Sequence, residues 1–381
     1  MKTIYHDNHV VLTTIFAPSM LWALLENVSR YGHLESTTCW VIGDRKTPQS
    51  CADICEEVTR RGLAVRFVDI HQQDRWGDRF PEVYEYIPYD NESRRNIGYL
   101  MALEEGCARL ILMDDDNFPA EDDFVGSHEF TGSTWEGDVV QENTGFHNIC
   151  EKLKVEPHRG LYPRGFPFKL RNTLNTNARV KPSGLARIGV TTGLWLQDPD
   201  IDAVTWLNGT VRSIGYEGPD QVVLGDGTWT PINTQNTSVV RELIPAFLCV
   251  PMGYEMGGTR LERYGDVWGG YIGQSTLRDK GYVVAFGKPL VEHRRNPHDY
   301  VDDLRHEFWG MVLTDWLVNS LREGFVPGED AIVGRLLELA DFLSSELVSE
   351  VPEWAPKEVE EFLVTTSRFL RAWAGTCEGL L

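Results

Sequence analysis

Leu110-Ile-Leu-Met-Asp-Asp-Asp-Asn-Phe118 is the stretch on which the reading of this chain turns. An apolar run of strand length, Ala108 to Met113, delivers three consecutive carboxylates, Asp114, Asp115 and Asp116, at its C-terminal end. Side chains alternate along an extended backbone, so Asp114 and Asp116 are expected on one face. Two neighbouring carboxylates repel unless a cation lies between them. Open α/β sheets bind ligands beyond the carboxyl ends of their strands. The run therefore predicts a divalent metal held against a phosphate-bearing ligand. A solvated acidic loop is the plainer alternative, because the whole chain is acidic.

Upstream of the run, strands and helices alternate. Val10–Phe16 is a β-branched strand, and Ala17-Pro18-Ser19 opens an amphipathic helix that stops near Gly32. Thr38–Gly43 and Ala64–Ile70 are further strands, and Gln49–Arg61 is a helix closed by Gly62. Asn91–Glu105 reads as the helix leading into the acidic strand. This alternation predicts a mainly parallel sheet with helices on both faces. No GxGxxG follows the first strand, which disfavours a dinucleotide-binding oxidoreductase.

Downstream, residues 120–300 are rich in Gly, Pro, Trp and Asn, with short strand candidates at Leu194–Leu196 and Val283–Phe286 among long loops. Such loops usually carry substrate contacts. From Val301 onward three helices are expected, Asp303–Arg322, Glu329–Glu350 and Lys357–Ala374, forming a helical appendix. Its apolar faces are a candidate homo-oligomer interface.

With 381 residues the chain can bury one large core or two smaller ones. Its 42% hydrophobic content argues for a folded globular protein. A formal charge of −21 excludes a nucleic-acid backbone or an anionic membrane surface as the expected partner. An acidic protein that binds a phosphorylated ligand needs a metal or local arginines to do so. No apolar run has membrane-spanning length, and residues 1–9 are polar rather than a signal-peptide pattern. Seven mostly isolated cysteines point to reduced thiols and a cytoplasmic location.

Three further clusters carry candidate chemistry. Arg159-Gly-Leu-Tyr-Pro-Arg164-Gly-Phe-Pro-Phe-Lys-Leu-Arg171 places arginines on a Gly/Pro-rich loop, where guanidinium forks suit a diphosphate. Surface arginines paired with the many carboxylates are the alternative. Gly193-Leu-Trp-Leu-Gln-Asp198-Pro-Asp200-Ile-Asp202 is a strand ending in spaced carboxylates, or else a turn in which Asp caps backbone amides. Arg263-Tyr264-Gly265-Asp266-Val-Trp268-Gly-Gly sets an Asp among aromatics and glycines, the setting of a buried base. His293 ends a predicted strand as Asp116 does.

The order of these motifs resembles the plant reversibly glycosylated polypeptides, which include the UDP-arabinopyranose mutases, and their microbial relatives. Their Asp-Asp-Asp after a strand is matched by Asp114–Asp116, and their Arg-Gly-Tyr-Pro-Phe-Ser-Leu-Arg by Arg164 to Arg171. Their Gly-Leu-Trp-Leu-Asn-Ile-Pro-Asp-Tyr-Asp-Ala is mirrored by Gly193 to Ala203. Asn236 with Arg241-Glu242-Leu243, Arg263 to Trp268, and His293 to Pro297 are similar to later family motifs. The resemblance is collinear over nearly the whole chain. The family's Asp-Asp before Met-Trp is Gly265-Asp266 here, so one carboxylate is missing.

The resemblance implies an α/β fold of GT-A type: a nucleotide-sugar-binding domain with a mainly parallel sheet over residues 1–302, and a C-terminal helical region over 303–381. Within the domain, 1–119 would be the nucleotide half and 120–302 the sugar and acceptor half. It also implies a UDP-sugar donor and a Mn2+ or Mg2+ requirement. By position, Asp116 and His293 would hold the metal, with Asp114, Asp115 and Arg95 by the nucleotide. Asp202, Arg171, Asn236 and Trp268 would contact the substrate, and Arg164, Asp200 and Asp266 would take part in catalysis, Asp266 as general base. The expected activity is metal-dependent glycosyl transfer to a small-molecule or glycan acceptor. A UDP-sugar pyranose/furanose mutase with reversible self-glycosylation at Arg164, and a non-catalytic nucleotide-sugar-binding partner, are the alternatives.

Overall fold

Four short runs of apolar and β-branched residues pack side by side, all parallel: β1 (Asn8–Thr14), β2 (Thr37–Gly43), β3 (Ala64–Val68) and β4 (Arg109–Leu112). The computed structural model in which they are seen describes residues 7–171, 179–182 and 184–381, so most of the polar opening stretch lies outside it. β1 is central, with Asn8 opposite both Thr37 of β2 and Arg109 of β4. Val10, Val11 and Leu12 are all buried, as expected for a strand covered by helices on both faces. The helices α1 (Met20–Tyr31), α2 (Gln49–Arg60) and α3 (Arg95–Glu104) supply that cover. The chain steps outward from β1 to β3 and then returns to place β4 on the other side of β1. The crevice beyond β1 and β4 is therefore a topological switch point.

The second half of the sheet is mixed. Its strands are β5 (Ala186–Gln197), β6 (Gln221–Val223), β7 (Thr237–Val240) and β8 (Tyr282–His293), in the order β6-β8-β5-β7-β4-β1-β2-β3. β7 runs antiparallel between β4 and β5, whereas β5 and β8 are parallel. The two short strand candidates of the middle region are thus corrected to twelve-residue strands, and β7 went unread. Bulges between Ile188 and Val190 and around Leu194, with Gly189, Gly193 and Gly287, interrupt the alternation that would have revealed their length. The mainly parallel α/β class and the helical C-terminal region are as expected.

α4 (Gly265–Thr276) is buried along its whole length. The C-terminal helices are α5 (Tyr300–Glu323), α6 (Ile332–Phe342), which continues into a π-helical turn, and α7 (Glu358–Leu380). Their apolar faces join the same core as the sheet: Trp373 donates to the Pro245 carbonyl (2.8 Å) and Arg335 to that of Thr276 (2.8 Å). All seven cysteines are buried and unpaired. Among the described residues no helix is long and apolar enough to cross a membrane.

Candidate active site

β4 stops at Leu112, and the acidic run is not a continuation of the strand. Asn117 N–H donates to the Asp114 carbonyl (3.2 Å), closing a turn. The expected split is nevertheless reached: Asp114 and Asp116 line one cavity, while Asp115 lines a neighbouring one. The turn, rather than strand alternation, separates them.

The first cavity, about 120 Å³, gathers Asp114, Asp116, Arg95, Arg164, Asp200, Asp266 and His293. Six chain segments contribute: the start of α3, the turn after β4, the loop holding Arg164, the segment beyond β5, the N-terminus of α4 and the end of β8. His293 closes β8 opposite Gln197 of β5, which brings it over the acidic turn.

Its Nε2 lies 3.4 Å from Asp116 Oδ2, and its Nδ1–H donates to the Asp198 carbonyl (2.7 Å). A carbonyl cannot donate, so Nδ1 carries the proton, and Nε2 faces the carboxylate either protonated or with its lone pair free for a cation. Burial opposes charge on His293, but Asp116 outweighs it and raises the imidazole pKa. The same pair, against burial, holds Asp116 below its ordinary value. Asn117 Nδ2 donates to Asp116 Oδ1 (3.1 Å). Arg95 pairs with Asp114 (2.8 Å), yet burial leaves the Asp114 pKa raised.

Among the described residues no group of three His, Cys, Asp or Glu side chains forms a metal cage. Asp116 and the oriented Nε2 of His293 fit a cation that takes its other ligands from phosphate and water, the habit of Mg2+-type ions.

Arg164 is 6% exposed and held on every side. Its Nε and Nη2 grip the two oxygens of Asp200 (2.9 and 3.1 Å), and its Nη1 and Nη2 grip those of Asp266 (3.1 and 2.9 Å). Nη1 also donates to the Arg263 carbonyl. Arg263 adopts φ +61°, a conformation that costs a non-glycine residue roughly 1–2 kcal/mol. All five N–H donors of Arg164 are thus spent on the protein. Despite burial, the two carboxylates push its pKa well up, and Asp200 in turn is held below its ordinary value.

Asp266 lies in the first turn of α4, where the helix dipole favours an anion, and Val267 N–H donates to it (2.8 Å). Arg263, Arg295 and His298 also line the cavity, and all three reach Asp303 (3.5, 3.1 and 3.0 Å). Glu92, Thr234 and Gln235 complete the lining.

The second cavity, about 230 Å³, lies beyond β1 and β2. Thr13, Thr14, Asp44, Asp90 and Asp115 line it, with Ile15 and Phe16. Thr14 donates to Asp115, whose carboxyl burial pushes up to about 6. Glu92 belongs to both cavities.

Several residues expected at the substrate lie outside both linings. Asp202 caps the helix at Ala203–Leu207 through Thr205 N–H (2.9 Å) and pairs with Arg171 (2.6 Å). Asn236, at φ +85°, is tied to His128 (2.9 Å) and the Leu194 carbonyl (3.0 Å). Trp268 is buried and donates to Thr314 (2.9 Å). Trp268, two residues past Asp266 on α4, falls on the far side of that helix from it, and Asp202 is taken up as a helix cap.

Arg295, His298 and Glu92 were not among the sequence candidates, and Arg263 was read only as part of its motif, with no role of its own. The polar run Asp90-Asn-Glu-Ser-Arg-Arg95 ahead of an apolar helix was the available signal for Glu92.

The family model described as reversibly glycosylated polypeptide matches residues 79–355. UDP-arabinopyranose mutase 3 of Arabidopsis thaliana is 24% identical over 298 residues, covering 77% of this chain and 74% of that protein. UDP-arabinopyranose mutase 1 of Oryza sativa subsp. japonica is 28% identical over 266 residues, 68% and 66% of the two chains. Glucosyl-3-phosphoglycerate synthase from Mycobacterium tuberculosis, solved with Mn2+ and UDP-glucose, gives a TM-score of 0.39 at 11% identity over 81% of this chain and 79% of that one.

Proposed function

Because the chain belongs to the reversibly glycosylated polypeptide family, we propose that it is an enzyme acting on a nucleoside diphosphate sugar, a UDP-sugar, whose anomeric bond it breaks to pass the glycosyl group to a hydroxyl acceptor. The observation that carries this reading is the cavity beyond β4. It combines an acidic pair, an oriented histidine and a rim of arginines at a switch point of the sheet. The nucleoside occupies the second cavity, with Asp115 toward the ribose and the half-exposed Phe16 beside the base.

Asp116 and His293 would hold a Mn2+ or Mg2+ ion, which would supply positive charge against that developing on the departing diphosphate. Arg263 and Arg295, fixed by Asp303 and Glu307 of α5, add preorganised positive charge to the cavity. One such contact is typically worth about 3 kcal/mol of barrier. Arg164 fixes Asp200 and Asp266 in the orientation they present to the sugar.

A second reading is interconversion of pyranose and furanose rings on the same nucleotide, supported by the names of the relatives. Transfer onto Arg164 would require it to surrender a carboxylate. Incubation with UDP-sugars separates the two readings. UDP release that depends on an added acceptor marks transfer, and ring isomers found by chromatography without acceptor mark the mutase. Failure of every UDP-sugar to bind or react would overturn both.

A further inference from the structure

Gly265 opens α4 at the position where the chain has one carboxylate fewer than the family pattern. A β-carbon there would lie 2.3 Å from the Val250 carbonyl oxygen and 3.1 Å from both Cys249 Sγ and Glu92 Oε1. No side chain fits, and a carboxyl oxygen arriving from another element stands beside the spot such a side chain would enter. The backbone carrying Glu92 is pinned. Asn91 accepts from Ser93 N–H (3.0 Å), its Nδ2 donates to the Met252 carbonyl (3.0 Å), and the Glu92 carbonyl accepts from Arg95 (3.0 Å). Glu92 Oε1 is sealed from solvent and has no hydrogen-bond partner among the described residues. The residue nevertheless lines the catalytic cavity and the nucleoside cavity together. An unpaired buried oxygen is costly for a fold to keep. Asp200 and Asp266, by contrast, have both oxygens engaged by Arg164.

We propose that Glu92, rather than Asp266, accepts the proton of the hydroxyl that attacks the anomeric carbon. The inference rests on the nucleotide-sugar reading above. The acceptor O–H bond breaks and its proton passes to a Glu92 carboxylate oxygen. The acceptor oxygen bonds to the anomeric carbon as the bond from that carbon to the β-phosphate oxygen breaks, and the electron pair leaves with the diphosphate.

Burial first, and then repulsion from Asp266, pushes the Glu92 carboxyl up to about 7 against the pull of Arg95, Arg164 and Arg263. Cys249 lies against it, and Asp44, Lys46, Asp90 and Asp115 face it across the nucleoside cavity. A base poised near the working pH is the efficient one.

The test is Glu92→Gln, read by calorimetric binding of UDP with Mn2+ and by UDP released from a UDP-sugar between pH 5.5 and 9. The expected result is wild-type UDP affinity, turnover lower by about 100-fold or more, and loss of the limb that rises through neutral pH. Glu92→Asp, which keeps the carboxylate, retains that limb and covers the case in which the glutamine variant does not fold. Wild-type turnover and profile in Glu92→Gln would overturn the proposal. So would parallel loss of UDP affinity, which would make Glu92 a nucleotide contact. A wild-type protein that neither binds UDP nor releases it from any UDP-sugar would refute the nucleotide-sugar reading, and this inference with it.

Discussion

Arg164 shows how a single residue can be misread from its motif. A guanidinium on a Gly/Pro loop suggests a phosphate clamp, but in the fold its donors are consumed by Asp200, Asp266 and the Arg263 carbonyl. Nothing in the sequence reveals this, because the partners lie 36 and 102 residues away. Arg164→Lys supplies a point charge in place of a double fork, leaving carboxylate oxygens unpaired in a buried site. We expect a loss of about 3–5 kcal/mol in urea denaturation, with turnover abolished. Asp115 gives a pH signature of opposite sense to a paired carboxylate. Its pKa rises from 3.8 to about 6 on folding, so the folded state holds the extra proton, and stability declines as pH climbs between those values. Asp115→Asn removes that decline. Its urea midpoint should gain on the wild type from pH 4 to 6 and run parallel above, and a constant difference across that range would refute the burial argument.

At the level of elements, the Gly-Asp-Val-Trp-Gly-Gly run was read only as the setting of a buried base, and it is the start of a fully buried helix. Its glycines are there for backbone contact: β-carbons at Gly269 and Gly270 would lie 1.8 Å from the Leu248 carbonyl oxygen and 2.3 Å from that of Ile232. Gly269→Ala should cost at least about 1–3 kcal/mol through overpacking, visible as a lower calorimetric melting temperature with turnover per folded molecule preserved. An unchanged melting temperature would show that the segment yields. The C-terminal helices are similarly more than a cover. Asp303 and Glu307, one turn apart on α5, hold Arg263 and Arg295 at the cavity rim. Periodicity placed that helix within a few residues, but its role depends on contacts across the molecule that periodicity does not encode.

Over the whole molecule, the parallel half was legible because β1 to β4 are short apolar runs punctuated by Gly and Pro. The mixed half was not, since bulges and glycines break the pattern in β5 and β8. The acidic turn and His293 were found from their places at strand ends, and the structure brings them to one cavity. Asn236, Trp268 and Asp202 share motifs with cavity residues but serve the core and a helix cap. A protein of charge −21 repels a nucleotide at long range, so the proposed nucleotide affinity would have to be made locally, by a cation and a few arginines. Titration calorimetry of UDP into wild type and Asp116→Ala, each with and without Mn2+, measures that dependence. UDP should bind the wild type only when Mn2+ is present and should not bind Asp116→Ala. Equal, Mn2+-independent binding of UDP by both proteins would contradict that dependence.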